Sequence, residues 1–218
     1  YKGLHVGCHS HAAPLSLVPA ISTSCNAFFC WGFFHMMSNR AKYKTVEDAM
    51  NTWRDYMVSM GFGYRLGIDL PGEKRGLIPN ATFYDKAYHG SWNGLTIISI
   101  SIGQGEVNLT PLQIANLGAT IANRGYYYVP HVVRKIQGEP IDTLFTRRHY
   151  TKAQRRSFDY IVAGMLSSAM GGTCKMLGSL PFAACGKPGS AQNRAHVHPV
   201  FSGFPPMHKP KLAFSIYV

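Results

Sequence analysis

The chain has 218 residues, of which 46% are hydrophobic and 15% charged, and this composition is typical of a folded globular protein. The length is enough to bury one sizeable core, so we expect one domain or most of one. No apolar run approaches the roughly 20 residues needed to span a bilayer, and no basic-then-apolar leader opens the sequence. Any membrane anchor or export signal is therefore expected outside these residues.

The formal net charge of +12 favours an anionic partner such as nucleic acid, anionic lipid headgroups or an acidic polymer. The charge does not choose among these partners. The basic residues are scattered, with short clusters at 147–148 and 155–156, and they recur in no nucleic-acid-binding motif. We therefore expect no nucleic acid among the partners.

Five cysteines are present, and none pairs with another at the two-residue spacing of a zinc ribbon or a redox motif. The cluster Cys8-His9-Ser10-His11 offers candidate metal ligands, but a metal site usually needs three or four, and no second cluster with suitable spacing follows. We expect a histidine-rich loop there, with no metal and no cofactor. Cys25 and Cys30 lie in an apolar stretch and are interpreted as small buried hydrophobic residues.

In chain order, the first predicted elements are a short helical turn at 16–20 and an aromatic and methionine-rich run at 27–37. The run is too apolar for a surface helix, so both pieces are expected to be buried. The polar residues 22–26 between them then form a bend that two buried pieces hold rigidly.

The next predicted element is a helix with a capping box. Thr45 and Asp48 have the required spacing, and helical periodicity follows until Gly61. One face is expected in the core, where methionine and tryptophan side chains recur at helical spacing. These residues are Val46, Met50, Trp53, Met57 and Met60.

A second helix is predicted from its cap at Thr110. Pro111 occupies the first helical position, Gln113 closes the capping box, and Gly125 ends the helix. The aromatic and β-branched residues at 126–136 then predict a strand or a hairpin arm.

A third capped helix is predicted to open at Thr151, with Gln154 in the box position, and to close at the glycines 171–172. Beyond it, short apolar segments separated by glycine, proline and basic residues predict three antiparallel strands. Helices followed by strands indicate an α+β fold, with a mainly helical part at 1–172 and terminal strands at 173–218 of a single domain. The strands are placed at 182–192, 199–204 and 212–218.

Two short motifs carry candidate chemistry. Ser24-Cys25-Asn26 lies in the bend, and Lys187-Pro188-Gly189-Ser190 lies on the first terminal strand. Each motif occurs by chance in many sequences. Taken alone, the serine and asparagine are better explained as caps of the helix that starts near residue 27, and the lysine as a solvated strand residue.

Longer segments around these motifs carry a resemblance that the motifs alone do not. Together they cover most of the chain, which resembles the transpeptidase domain of class B penicillin-binding proteins, above all the elongation type called penicillin-binding protein 2. The segments are Gly-Ile-Asp-Leu-Pro-Gly-Glu at 67–73, Ile-Gly-Gln-Gly-Glu-Val at 102–107, Thr-Pro-Leu-Gln at 110–113, Gly-Gly-Thr at 171–173, Gly-Lys at 186–187, Ala-Gln-Asn at 191–193 and Phe-Ser-Gly-Phe at 201–204.

The resemblance implies a penicillin-binding protein/β-lactamase-like fold, in which an antiparallel sheet adjoins a helical subdomain. It also implies a peptidoglycan D,D-transpeptidase that works through a serine acyl-enzyme. Ser24 is then expected to relay a proton to the leaving amine, and Lys187 to keep the site positive and hold the substrate carboxylate. Asn26 is expected to orient the substrate amide.

The same resemblance assigns substrate binding to Pro188, Gly189 and Ser190, with the Ser190 N–H as an oxyanion-hole donor. The implied partners are D-Ala-D-Ala stem peptides, β-lactams and membrane proteins of the elongation complex. The implied location is the periplasmic face of the bacterial inner membrane.

The chain also departs from the family pattern. No serine is followed three residues later by lysine, so the nucleophile motif is expected upstream of Tyr1, and the chain is interpreted as a fragment truncated at both ends and inactive alone. Pro188 and Ser190 stand where threonine is usual. These departures leave an alternative, a non-catalytic module that keeps the fold and binds cell-wall peptide or partner proteins.

Overall fold

The computed structural model describes residues 6–193 and 196–218. Its helices are α1 (Leu17–Ser22), α2 (Asn26–Met37), α3 (Val46–Ser59), α4 (Ala81–Tyr88), α5 (Pro111–Ala122), α6 (Thr143–Thr146) and α7 (Arg155–Met170), with 3₁₀ helices at Ile98–Ile102 and Lys175–Ser179. Its strands are β1 (Tyr126–Tyr127), β2 (His149–Tyr150), β3 (Cys185–Asn193), β4 (His196–Phe204) and β5 (Phe214–Tyr217). Among the described residues, no helix is long and apolar enough to cross a membrane.

The capping boxes predicted for α3 and α5 are confirmed. Thr45 Oγ1 accepts from the Asp48 backbone N–H at 3.1 Å, and the Asp48 carboxylate accepts from the Thr45 N–H at 3.2 Å. Thr110 and Gln113 make the same reciprocal pair at the start of α5. Each box satisfies N–H groups that have no partner within the helix, so both helices begin where the sequence places them.

The predicted start of the third capped helix is wrong by one turn. Its helix, α7, begins at Arg155, and Gln154 occupies the N-cap position without a side-chain hydrogen bond. The Thr151 N–H donates to the Gly125 carbonyl at 2.9 Å, which fixes Thr151 beside the strands that precede it. A long-range backbone bond therefore overrides the local cap pattern.

The predicted strand at 126–136 is largely wrong as well, since its pairing is limited to the two residues of β1, antiparallel to β2, and an isolated bridge between Ile136 and Glu139. Farther along, the N–H groups of Val132 and Val133 donate to the carboxylate of Asp69, at 3.0 and 2.8 Å. Because a side chain satisfies these backbone groups, they need no strand partner.

Two clusters of buried side chains form the core. One joins α2, α3, α4 and the first 3₁₀ helix, and the other joins α1, α5 and α7 to the sheet of β3, β4 and β5. The first contains Phe33, Met37, Tyr43, Ala49, Met50, Ala81, Tyr84, Trp92, Ile97 and Ile100. The second contains Ile21, Ile121, Phe158, Val162, Met165, Cys185 and Phe204.

The three terminal strands pair antiparallel in the order β3-β4-β5, as predicted, although they begin or end a few residues from the predicted bounds. The α+β class is confirmed. The sheet shares the second core cluster with α1, α5 and α7, so helices and strands form one packed unit. The boundary between a mainly helical part at 1–172 and terminal strands at 173–218 stays a prediction.

A glycine at position 164 sets how closely α7 approaches α1. A Cβ there would lie 2.6 Å from Ile21 Cβ, so Gly164→Ala is expected to push the two helices apart and to destabilise the protein by about 1 to 3 kcal/mol. The melting temperature should fall by roughly 2 to 4 °C for each kcal/mol. The matched control is Gly32→Ala in α2, where nothing lies within 4 Å and the melting temperature should hold or rise. A Gly164→Ala variant as stable as the control would contradict this account.

Candidate active site

The bend between α1 and α2 holds Ser24 in an uncommon conformation. Its φ is 55°, in the left-handed region that few residues other than glycine adopt. Backbone bonds on both sides fix it, from Ser24 N–H to Ile21 O at 3.3 Å and from Cys25 N–H to Ala20 O at 3.0 Å. A strained residue persists where its surroundings over-determine it, so the direction in which the Ser24 side chain leaves the backbone is defined.

The explanation of Ser24 and Asn26 as caps of α2 is wrong. The N-cap residue is Cys25, whose Sγ accepts from the Phe28 N–H at 3.4 Å, and Asn26 is already the first residue of the helix. The serine hydroxyl and the asparagine amide are therefore not used on α2.

Lys187 of β3 contacts the bend between α1 and α2. Its Nζ donates to Ser24 Oγ and, at 2.8 Å, to the Pro188 carbonyl. Burial lowers the pKa of the Lys187 ammonium from its ordinary value, and the charge of nearby Cys174 partly offsets this effect. A half-buried lysine in contact with a hydroxyl is a suitable proton relay and anion-binding group, and the fold brings the two residues together from opposite ends of the chain.

All six residues predicted for the site line one cavity of about 520 Å³. The sequence predicts no role for the other five residues of its wall. The predicted residues are Ser24, Asn26, Lys187, Pro188, Gly189 and Ser190, and the additional ones are His9, Phe29, Ile102, Gln104 and Thr173.

The open edge of β3 faces this cavity, as the strand register shows. Ser190 pairs with Pro199 of β4, whose carbonyl accepts from the Val218 N–H at 3.0 Å. Since Pro199 directs its backbone groups towards β5, the opposite residue Ser190 directs its N–H and C=O away from β4. Pro188, two residues earlier, faces the same way, so its missing N–H leaves the ladder intact.

A segment at 7–11 lies over the start of α2. Asn26 Nδ2 donates to the Gly7 carbonyl at 2.8 Å, and Cys8 Sγ accepts from the Ala27 N–H at 3.2 Å. The predicted substrate-orienting amide is therefore already hydrogen-bonded to the chain, and this segment forms one wall of the cavity through His9.

The same segment brings together three side chains that suit a metal ion. The donor atoms of Cys8, His11 and Cys25 all lie within 4.8 Å of one another, and the two Sγ atoms are 4.0 Å apart. His11 Nδ1 lies 2.9 Å from the Ala12 carbonyl, while its Nε2 is buried without a hydrogen-bond partner. An N–H donated to that carbonyl leaves Nε2 with a free lone pair, and thiolate with imidazole is the donor set that zinc prefers.

Zinc is expected to stabilise the reduced chain and to raise its melting temperature. At a concentration 100 times its dissociation constant, a ligand contributes about 2.7 kcal/mol, or roughly 5 to 10 °C here. His11→Gln should abolish most of this shift, while the exposed His208→Gln should retain it. Equal shifts in the two variants would show that zinc binds elsewhere. The sequence predicts no metal because it indicates that Cys25 is a small buried hydrophobic residue and not a ligand.

Lys187 is expected to make stability depend on pH with a definite sign. Because burial lowers its pKa below the ordinary 10.5, the unfolded chain binds more protons, and stability rises with pH as the folded chain loses this proton. The melting temperature of Lys187→Met minus that of the parent should therefore be larger at about pH 7 than at about pH 10. For the exposed Lys211→Met, this difference should be the same at both pH values. If the difference for Lys187→Met were also the same at both pH values, Lys187 would not carry a buried charge.

Residues 2–218 match the family model described as the penicillin binding protein transpeptidase domain. The chain belongs to the penicillin-binding protein transpeptidase domain family. The Acinetobacter baumannii peptidoglycan D,D-transpeptidase MrdA is 31% identical in an alignment that is 206 positions long and covers 86% of this chain and 30% of that protein. The Haemophilus influenzae MrdA is 26% identical in an alignment that is 196 positions long and covers 80% of this chain and 30% of that protein. The chain thus spans about 30% of the length of these two curated relatives.

Solved structures of the same family share the fold. Pseudomonas aeruginosa PBP2 in complex with WCK 5153 superposes with a TM-score of 0.78 at 26% identity, covering 94% of this chain and 43% of that one. Helicobacter pylori PBP2, solved in complex with MreC, gives a TM-score of 0.74 at 23% identity, covering 94% and 36%. The penicillin-binding protein transpeptidase fold expected from the sequence is confirmed, and the likeness is to PBP2 and MrdA proteins.

Proposed function

We propose that this chain supplies the substrate-binding and proton-relay part of a serine D,D-transpeptidase site that cross-links peptidoglycan. The observation that carries the proposal is the contact between Lys187 Nζ and Ser24 Oγ in one cavity, beside the open edge of β3. A strand edge with a free N–H and a neighbouring ammonium is suited to an extended peptide that ends in a carboxylate.

Each group has a chemical role in this proposal. The penultimate carbonyl of a D-Ala-D-Ala stem peptide rests on the Ser190 N–H, which stabilises the oxyanion that develops during acyl transfer. Lys187 holds the terminal carboxylate and keeps the site positive, and Ser24 relays a proton to the leaving amine. Asn26 exchanges its bond to Gly7 for the substrate amide, while Pro188 and Gly189 line the peptide.

The location and partners follow the relatives. We place the chain at the periplasmic face of the bacterial inner membrane, where stem peptides and β-lactams are present. The complex of Helicobacter pylori PBP2 with MreC supports membrane proteins of the elongation complex as partners. We propose no nucleic acid among them.

The test is a nuclear magnetic resonance titration of the isotope-labelled 218-residue chain with diacetyl-L-Lys-D-Ala-D-Ala. Its resonances should move at Lys187 and Ser190, and the L-Ala-L-Ala diastereomer should move them little. Lys187→Met should weaken binding by about 10- to 150-fold, because a hydrogen bond to a charged group is lost. The exposed Lys211→Met serves as the control. The proposal would be overturned if the two peptides bound equally well and Lys187→Met bound as tightly as the parent.

The alternative is a non-catalytic module that binds cell-wall peptide, and it is favoured by one observation. Pro188 lacks the N–H and the hydroxyl that threonine would place on the cleft edge. The two functions separate in a chimera that joins this chain to a Ser-x-x-Lys segment of the family. Acylation of that chimera by penicillin supports the transpeptidase, and peptide binding without acylation supports the module.

A further inference from the structure

Two thiols face each other beside the candidate active site. The Sγ atoms of Cys8 and Cys25 lie 4.0 Å apart, although the residues are 17 positions apart in the chain. Cys8 is exposed and Cys25 is buried. The distance is about twice the length of a disulfide bond, so a displacement of roughly 2 Å brings the two sulfur atoms into bonding contact.

The segment that carries Cys8 is held against the first turn of α2. Asn26 Nδ2 donates to the Gly7 carbonyl at 2.8 Å, and the Ala27 N–H donates to Cys8 Sγ at 3.2 Å. Cys25 is the N-cap residue of the same helix, so its backbone is fixed at the helix start. The exposed side chain of Cys8 changes its rotamer without displacing the backbone on either side. The fold therefore keeps the two thiols near each other, and rotation of Cys8 completes the approach.

The other three cysteines of the chain lack this exposure. All three are buried, and the sulfur of each contacts an oxygen atom. They are Cys30, beside Ser101 Oγ at 3.3 Å, Cys174, beside the Gly186 carbonyl at 3.2 Å, and Cys185, beside the Val162 carbonyl at 3.8 Å. An oxidant that arrives from the solvent therefore reaches Cys8 first, and the thiol beside Cys8 is Cys25.

We propose that Cys8 and Cys25 are a modification site at which a disulfide oxidant joins the two thiols in a reversible disulfide. The Cys8 thiolate attacks one sulfur of oxidised glutathione and releases the first glutathione thiol. The Cys25 thiolate then attacks Cys8 Sγ in this mixed disulfide and releases the second. The two cysteines together lose two electrons and two protons, and the oxidant gains them as two thiols. Disulfides persist in oxidising compartments, of which the bacterial periplasm is one.

The disulfide changes the surroundings of the cavity in two ways. It withdraws both sulfur donors from the cluster with His11, because a metal-bound sulfur is a thiolate and a disulfide sulfur is not. It also ties the segment at 7–11, which forms one wall of the cavity through His9, to the bend that carries Ser24. The pair and its chemistry go beyond the proposed function and do not depend on it.

The experiment counts the thiols of the 218-residue chain after equilibration with oxidised glutathione and a metal chelator. The remaining thiols are alkylated in denaturant and counted by intact mass. The parent should show three alkylated cysteines in place of the five found after reduction, with the mass of one chain and no bound glutathione. Cys8→Ser should keep all of its remaining thiols. Cys30→Ser, the matched control in the same apolar stretch, should lose two thiols as the parent does.

The oxidised parent is expected to melt about 5 to 10 °C above the reduced parent, because the new bond closes a loop in the unfolded chain. Cys8→Ser should melt at one temperature with and without the oxidant, which separates the disulfide from any effect of the oxidant itself. Zinc should raise the melting temperature of the reduced parent and leave that of the oxidised parent unchanged.

Three results overturn the inference. Five alkylated cysteines after oxidation would show that the thiols do not pair, and a glutathione adduct that persists on Cys8 would show that Cys25 does not reach it. Loss of two thiols from Cys8→Ser would show that the pair lies elsewhere in the chain. Each result leaves the proposed function standing, since that function is tested by the preference of the chain for D-Ala-D-Ala over L-Ala-L-Ala.

Discussion

The 218-residue chain alone is expected to form no covalent adduct with penicillin. Acylation needs an activated serine, and no serine in these residues has a lysine three positions later. Ser24 does contact a lysine, but Lys187 Nζ donates to its hydroxyl and to the Pro188 carbonyl. While Lys187 is protonated, it donates to this hydroxyl and cannot accept the serine proton.

The measurement is intact mass after incubation of the chain with excess penicillin. The expected result is the unmodified mass, with less than about one part in a hundred labelled, and a chimera carrying the family's Ser-x-x-Lys segment serves as the positive control. A stoichiometric adduct on the chain alone would contradict the proton-relay role. Peptide mapping would then show whether Ser24 is the acylated residue, and Ser24→Ala would remove the label.

The parts of the fold that the sequence predicts are those decided within a few residues. The capping boxes of α3 and α5 each depend on side chains three positions apart, so the pattern contains its own partners. Helix α4 has a similar local signal, because Asn80 Oδ1 accepts from the Phe83 N–H at 2.8 Å, yet it was not predicted. The sequence therefore holds a local signal for the start of α4 as well.

The wrong predictions have partners far away in sequence. Thr151 is held by Gly125, and the N–H groups of Val132 and Val133 are held by Asp69, more than 60 positions earlier. Propensity describes a residue's own preference and carries no record of such bonds. Tertiary contacts therefore moved the start of α7 and shortened the predicted strand to two residues.

The candidate site divides in the same way. The order of two motifs within a family resemblance was enough to predict that Ser24 and Lys187 lie in one cavity, since the fold fixes where each motif lies. The spacing rules for metal ligands missed the cluster of Cys8, His11 and Cys25, because the third ligand comes from the bend 17 residues after the first.

The structure sharpens the expected effect of Pro188. The residue pairs with Phe201 in the β3-β4 ladder and, like Ser190, directs its backbone away from β4. Proline on such an edge costs the fold little. The missing N–H and the missing threonine hydroxyl are therefore lost to the substrate, and the hydroxyl in this family helps to hold the substrate carboxylate.

In the chimera with a Ser-x-x-Lys segment, Pro188→Thr is expected to raise the second-order rate of penicillin acylation by at least about tenfold. A hydrogen bond to a charged group is worth about 1.5 to 3 kcal/mol, which corresponds to roughly 10- to 150-fold in rate. The melting temperature should move by no more than about 2 °C, because the ladder bonds are unchanged. Stopped-flow or gel measurements of labelling against penicillin concentration give the rate.

Pro199→Thr is the matched control, since that proline lies opposite Ser190 on β4 with its backbone turned towards β5 and away from the cavity. It should leave acylation within about twofold, because it adds a hydroxyl and an N–H away from the substrate. Ser190→Thr, which keeps both the hydroxyl and the N–H on the cleft edge, should also change little. Equal acylation rates for the parent chimera and its Pro188→Thr variant would mean that this position does not contact the carboxylate. A similar gain from Pro199→Thr would mean that the sheet as a whole, and not its cleft edge, limits the reaction.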